Sequence, residues 1–361
     1  MHEKRFQTPL GRLLSVAVLL LAAWPYAPSG AAEKPTMALL SFDGGSLPVN
    51  KAGANYPNQY QPEGTTVLSL DESDAVSGKS LRLEVTKGRF YAQFNAHNSD
   101  GTRGFAREYV AQPENWRPDT FNRLSFWIQC PTNAVALRTD GRPNMDVGTY
   151  VKRIKDADRR SDETGGNHWY HQLDVAPTGT WTKVILNMHP HHYRGASGQT
   201  EHHNQPHPTR EPGYNYFDAL TRFYVSAEYG SPESYPAIYR LDEFQFYRET
   251  RPENDERVYS IAATVVPREN RLILTWSRDK DQNQLQHEVR YALSDIHDVG
   301  WDRALPAPEG IVSPRGWQGY NVMSYTTTKL PLAEQRVLFL AIKPADSQLF
   351  SQIDLPLMPA R

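Results

Sequence analysis

Apolar and polar positions alternate with period two along much of this chain. In SLRLEV, Leu81, Leu83 and Val85 fall on one side and Arg82 and Glu84 on the other. FYAQFNA follows the same rule, with Phe90, Ala92, Phe94 and Ala96 on one face and Tyr91, Gln93, Asn95 and His97 on the opposite one. RLSFWIQ places Leu124, Phe126 and Ile128 inside and Trp127 outside. Successive side chains leave opposite faces of a sheet, so each run predicts a half-buried strand. MALLSFDGG (37–45), DVGTYVK (146–152), HWYHQLDV (168–175), WTKVILNM (181–188), RFYVSAE (222–228) and YRLDEFQFYR (239–248) read as further strands. Asp43-Gly44 and Pro177-Thr178-Gly179 supply turns between them. No helical period of useful length intervenes. One apolar and one polar face, repeated over this many strands, predicts an all-β antiparallel sandwich.

Three stretches break the pattern. Residues 46–66 are rich in Pro, Asn, Gln and Gly, residues 153–162 are charged, and residues 187–214 carry HPHHYRG and EHHNQPHP. All three read as loops. ETRPENDER (249–257) is charged and contains a proline, which suits a linker. The expected division is a domain over 33–249, a linker over 250–257 and a second domain over 258–361. A length of 361 residues allows each to bury its own core.

Composition narrows the functions. A net charge of −2 gives no basic surface for nucleic acid. Lys4, Arg5 and Arg12 precede an apolar run, Leu13 to Ala23, that is too short to span a bilayer. With Gly30-Ala31-Ala32 behind it, this segment reads as a signal peptide over 1–32, cleaved after Ala32. The expectation is export to the periplasm or beyond, with no membrane span. Cys130 is the single cysteine, so no intrachain disulfide can form, and its place at the end of an apolar strand makes it a buried small hydrophobe. Nothing in the residues calls for an organic cofactor.

Phe42-Asp43-Gly44-Gly45, then Gly78-Lys79-Ser80-Leu81-Arg82-Leu83, form a recognisable series. Leu124 to Ile128 (LSFWI), Trp181 with Val184 and Leu186, and Leu241-Asp242-Glu243-Phe244 continue it. Over residues 37–249 the series resembles the galactose-binding-like jelly rolls of carbohydrate-binding modules. The resemblance implies a glycan held on a concave sheet. It also implies that the first and last strands lie side by side, with Asp43 and Asp242 binding a structural calcium, which favours hard oxygen ligands. The bland alternative is that Asp43 only shapes its Asp-Gly turn. RLILTWS, HEVRYALSDI and VLFLAIKPAD resemble the B, C and F strands of a fibronectin type III domain. Trp276 would be its core tryptophan, with Tyr291 in the adjacent strand. No chemistry is assigned to that domain.

The outward set Tyr91, Gln93, Asn95 and His97 is unusual, because plain wet strands favour Lys, Glu and Thr. Amides and imidazoles pair with sugar hydroxyls, and an aromatic ring stacks on the apolar face of a pyranose. In the jelly-roll order Tyr150, His168, Tyr170 and Gln172 face the same way, with His189 at the rim. The expected function is a secreted carbohydrate-binding protein whose partner is a polysaccharide or oligosaccharide. The rival is a polysaccharide lyase using His191, His192, Tyr193 and Arg194 as acid, base and carboxylate clamp. Eight of the twelve histidines lie between His168 and His207, but their spacing matches no compact zinc signature. A Pro-pinned loop whose histidines bond to backbone remains a third reading of that stretch.

Overall fold

The alternating segments fold as strands. The computed structural model describes residues 36–40, 42–43, 66–86, 90–95, 123–134, 144–152, 167–187, 193–194, 219–227, 236–247, 249, 258–278, 286–315, 321–330 and 337–356. The first strands are β1 (Thr36–Leu40), β2 (Thr66–Asp71), β3 (Ser80–Val85), β4 (Phe90–Asn95) and β5 (Arg123–Gln129). β6 (Met145–Lys152), β7 (Asn167–Leu173), β8 (Trp181–Asn187), β9 (Tyr193–Arg194), β10 (Ala219–Ala227) and β11 (Ala237–Tyr247) follow. Next come β12 (Val258–Val266), β13 (Arg271–Arg278), β14 (His287–Ala292) and β15 (Leu305–Pro306). The last are β16 (Ile311–Arg315), β17 (Asn321–Thr327), β18 (Val337–Pro344) and β19 (Ser351–Pro356). Among the described residues α1 (Ile296–Val299) is the one α-helix.

Every pairing among these strands is antiparallel, and the described residues make three sheets. The largest has the order β16-β17-β13-β12-β8-β5-β11-β3-β2, with β1 beside the C-terminal half of β11. The second is β4-β10-β6-β7-β9 and the third β15-β14-β18-β19. The protein is therefore an all-β sandwich. The large sheet does not stop at residues 250–257: β12 pairs with β8, setting Ile261 opposite Ile185 and Thr264 opposite Thr182. Lys34–Arg361 forms one compact unit.

One face of the large sheet carries Leu81, Leu83, Leu124, Phe126, Ile128, Val184, Leu186 and Leu241, all buried. On the five-stranded sheet Met145, Val147 and Val225 are buried in the same way. This is the burial expected of two sheets packed face to face. In β11 the alternation slips by one residue between Asp242 and Gln245, where two residues oppose one on β5. Glu243 takes φ +51° there, and the bulge returns Phe244 to the core. Phe244 stacks on Phe126 at 4.9 Å and meets Phe42 edge-on at 6.4 Å.

Trp127 overturns its expectation. The alternation of β5 puts it outside, yet it is buried at 7 % exposure, and β5 is buried at every position. The cause is the second face of the large sheet. There Trp127 and Ile185 share a cluster with Val258, Ile261, Trp276, Ile353 and Leu355 from the C-terminal part of the chain. The Lys183 ammonium crosses the same seam, 2.9 Å from Asp354 on β19 and 5.9 Å from the centroid of the Trp127 ring. Cys130, just past β5, is buried, and burial followed by the charge of Asp174 pushes its thiol far up.

Candidate functional site: a polar sheet face and an acidic corner

Residues opposite one another in a sheet ladder share a face, so the register of the five-stranded sheet lines up rows of positions from separate strands. Val147 and Val225 are opposite each other and fully buried, which fixes the core side. The alternate positions lie on the other face. One row there runs Asn95, Arg222, Tyr150, His168, Arg194 across β4, β10, β6, β7 and β9. The next runs Gln93, Tyr224, Gly148, Tyr170. A third runs Tyr91, Ser226, Asp146, Gln172. Rows are two residues apart along each strand, about 7 Å, and neighbours within a row about 4.8 Å.

Seven of the residues singled out in the sequence, Tyr91, Gln93, Asn95, Tyr150, His168, Tyr170 and Gln172, therefore occupy one face of one sheet. Their strands are not all neighbours, because β10 lies between β4 and β6. That insertion adds Arg222, Tyr224 and Ser226 to the face, and β6 adds Asp146 and Gly148. The three β10 residues stand outside the expected set, although the alternation of Arg222, Tyr224 and Ser226 with Phe223 and Val225 is legible in RFYVSAE. His97, His189, His191 and His192 lie outside the described residues, as does most of the loop over 187–214. Of the lyase set, Tyr193 and Arg194 are described, and they part company. Arg194 is opposite His168 in the polar row, whereas Tyr193 is opposite Trp169 on the other face. Asp146 is the one carboxylate that the described registers bring to the polar face.

The acidic corner is built by the segment between β2 and β3. β1 pairs with β11, Leu40 opposite Phe244, which brings the turn at Asp43 beside Asp242 and Glu243. The Asp242 carboxylate accepts from the backbone N–H groups of Val76 (2.8 Å), Ser77 (3.2 Å) and Glu243 (2.8 Å). Asp43 accepts from the N–H of Lys79 at 2.7 Å. Both acids thus hold one segment, Val76 to Lys79. Gly78 sits there at φ +50°, and a Cβ on it would collide with the Asp43 carboxylate. Asp74 anchors the segment farther back, accepting from Gln129 at 2.8 Å and the Trp181 indole at 2.9 Å.

The electrostatics of this corner are unfavourable as it stands. Asp242 is fully buried, and desolvation pushes its carboxyl up to about 7 despite the hydrogen bonds that pull it down. Glu243 is also raised, by burial first and then by the charge of Asp43. Asp71 goes the other way: burial would raise it, but hydrogen bonds from Ser73 and Arg240 and the Arg240 charge bring it down to about 2. No group of three or more His, Cys, Asp or Glu side chains among the described residues is arranged to hold a metal. The fit to calcium is therefore partial. Hard oxygen donors and an excess of buried negative charge are present, and further ligands would have to be backbone oxygens.

The chain matches no protein-family model, no curated protein and no solved structure. Amides, phenols, imidazole and guanidinium groups offer directional donors and aromatic surface together. A glycosidase of the common kind needs two carboxylates flanking its cleft, and the described registers provide one. Among the described residues no helix is long and apolar enough to cross a membrane.

Proposed function

We propose that this is an exported carbohydrate-binding protein that holds a glycan on the polar face of its five-stranded sheet. The observation that carries the reading is the assembly of three polar and aromatic rows from five strands that are scattered through the sequence. A merely solvated face has no need of tyrosine, glutamine, asparagine and histidine gathered in this way. The first part of the chain is read as a galactose-binding-like jelly roll and the last part as fibronectin type III-like. The order β12-β13-β17 facing β15-β14-β18-β19, with Trp276 buried in the core between them, supports the second reading. Calcium at Asp43 and Asp242 completes the proposal as a structural ion. It would neutralise the buried charge and pin the segment from Val76 to Lys79. The segment before residue 33 is read as the export signal.

A polysaccharide lyase is the second reading, favoured by one observation. Tyr150, His168 and Arg194 fall in a single row, so a phenol, an imidazole and a carboxylate clamp are neighbours. Tyr193, on the other face, drops out of that set. One experiment separates the readings. A glycan array identifies what the full chain binds, and ultraviolet absorbance of unsaturated uronates reports turnover. Tyr91→Ala is expected to weaken binding while leaving the melting temperature nearly unchanged. A product signal abolished by His168→Ala, with binding retained, would replace the binder by the lyase.

A further inference from the structure

We infer that the bound glycan is anionic and lies across the strands, seated over Gly148 with its acidic groups at Arg222 and Arg194. The inference rests on the carbohydrate-binding reading and names the class of ligand. Gly148 occupies the middle of the grid. It is flanked across the sheet by Tyr224 and Tyr170 and along its own strand by Asp146 and Tyr150. A position with no Cβ, between two tyrosine positions in the register, lets a ligand approach the backbone with aromatic residues on the neighbouring strands. A pyranose has apolar faces and polar edges, and this combination of residues suits it. The aromatic pair lies in a row, perpendicular to the strands, so a sugar chain that uses both must run along the row.

The two flanking rows differ in charge. On one side stand Arg222 and Arg194, with His168 between them. On the other stand Tyr91, Ser226 and Gln172 with a single acid, Asp146. Arg222 and Arg194 are three strand spacings apart, about 14 Å, so they address different sugars of one chain rather than one group. A glycan along the middle row therefore runs between a row that holds two arginines and a row of hydroxyl, amide and carboxylate residues. Carboxylates or sulfates would take fork-shaped, charge-assisted hydrogen bonds. Asp146 would repel an acidic edge presented the wrong way round, which sets the orientation of the chain.

Titration calorimetry of the full chain tests this with alginate and polygalacturonate oligomers, their methyl esters, sulfated galactans and neutral galactans. The expected result is a preference of about tenfold or more for acid over ester, matching one charge-assisted hydrogen bond. The preference should shrink as salt shortens the Debye length from about 10 Å toward 3 Å. The uronate and sulfate arms show which anion is read. Arg222→Gln should reduce the preference, Arg222→Lys should keep more of it, and Arg222→Gln combined with Arg194→Gln should remove it and leave residual affinity for neutral oligomers. Gly148→Val should abolish binding of acid and ester alike without lowering the melting temperature, since valine favours a strand. Equal affinity for acid and ester overturns the inference and leaves the carbohydrate-binding reading standing. Binding to none of the glycans overturns both.

Discussion

Asp242 is the residue where burial and charge conflict most openly. Its folded carboxyl titrates near 7, against an ordinary value of 3.8. Between these values the folded state holds a proton that the unfolded chain has released. The contribution to stability is therefore complete below 3.8 and is lost as pH rises through about 7, at up to about 1.4 kcal/mol per pH unit. Asp71, lowered to about 2, acts oppositely and costs stability only as pH falls below its ordinary 3.8. In chelator-treated protein the melting temperature should drop between pH 4 and 7, measured as the difference between wild type and Asp242→Asn. Calcium should remove that difference for the wild type, because a bound cation takes the place of the proton. A difference that is flat across the window, with and without calcium, would sink both the buried charge and the ion.

At the scale of elements, β5 and β11 pair in the interior of the large sheet. β5 is central in the large sheet, between β8 and β11, and both of its faces are covered. Trp127→Ala should accordingly cost about 3–5 kcal/mol in chemical denaturation, the range for a buried aromatic. A loss under about 0.5 kcal/mol is the surface-residue result, and it would mean that the C-terminal strands do not pack over β5 in solution. In β11 the bulge at Glu243 serves two ends at once. It keeps Phe244 on Phe126, and it leaves Asp242 and Glu243 consecutive beside the turn at Asp43.

At the scale of the whole molecule, the stretch over 250–257 reads as a linker, but the sheet on either side of it is continuous. Removing residues 258–361 would strip β12 from the edge of β8. It would also uncover Trp127 and Ile185, and it would free Lys183 from Asp354. An exposed apolar face beside an open sheet edge is a site for aggregation. Residues 33–257 alone should therefore express mainly as aggregate, as judged by soluble yield and size-exclusion chromatography. A soluble monomer of that fragment with full glycan affinity would show that the two parts are separable after all.

Alone, the sequence determined the strands whose residues alternate and the residues that share a face within each of them, because period two is local. SLRLEV and RLSFWIQ were legible to the residue as β3 and β5. β12 was not, because it carries Ile261, Ala262 and Ala263 in succession, all buried, and so shows no alternation to read. The polar set on β4, β6 and β7 was visible strand by strand. Only tertiary structure decided that β10 lies between β4 and β6, which brings Arg222 into line with Asn95 and Tyr150. It alone also decided that Trp127 is covered and that the large sheet crosses the linker. The physical reason is the same in each case. Alternation says which way a side chain leaves its strand, while strand pairing and sheet stacking join residues far apart in sequence and leave no periodic mark on it.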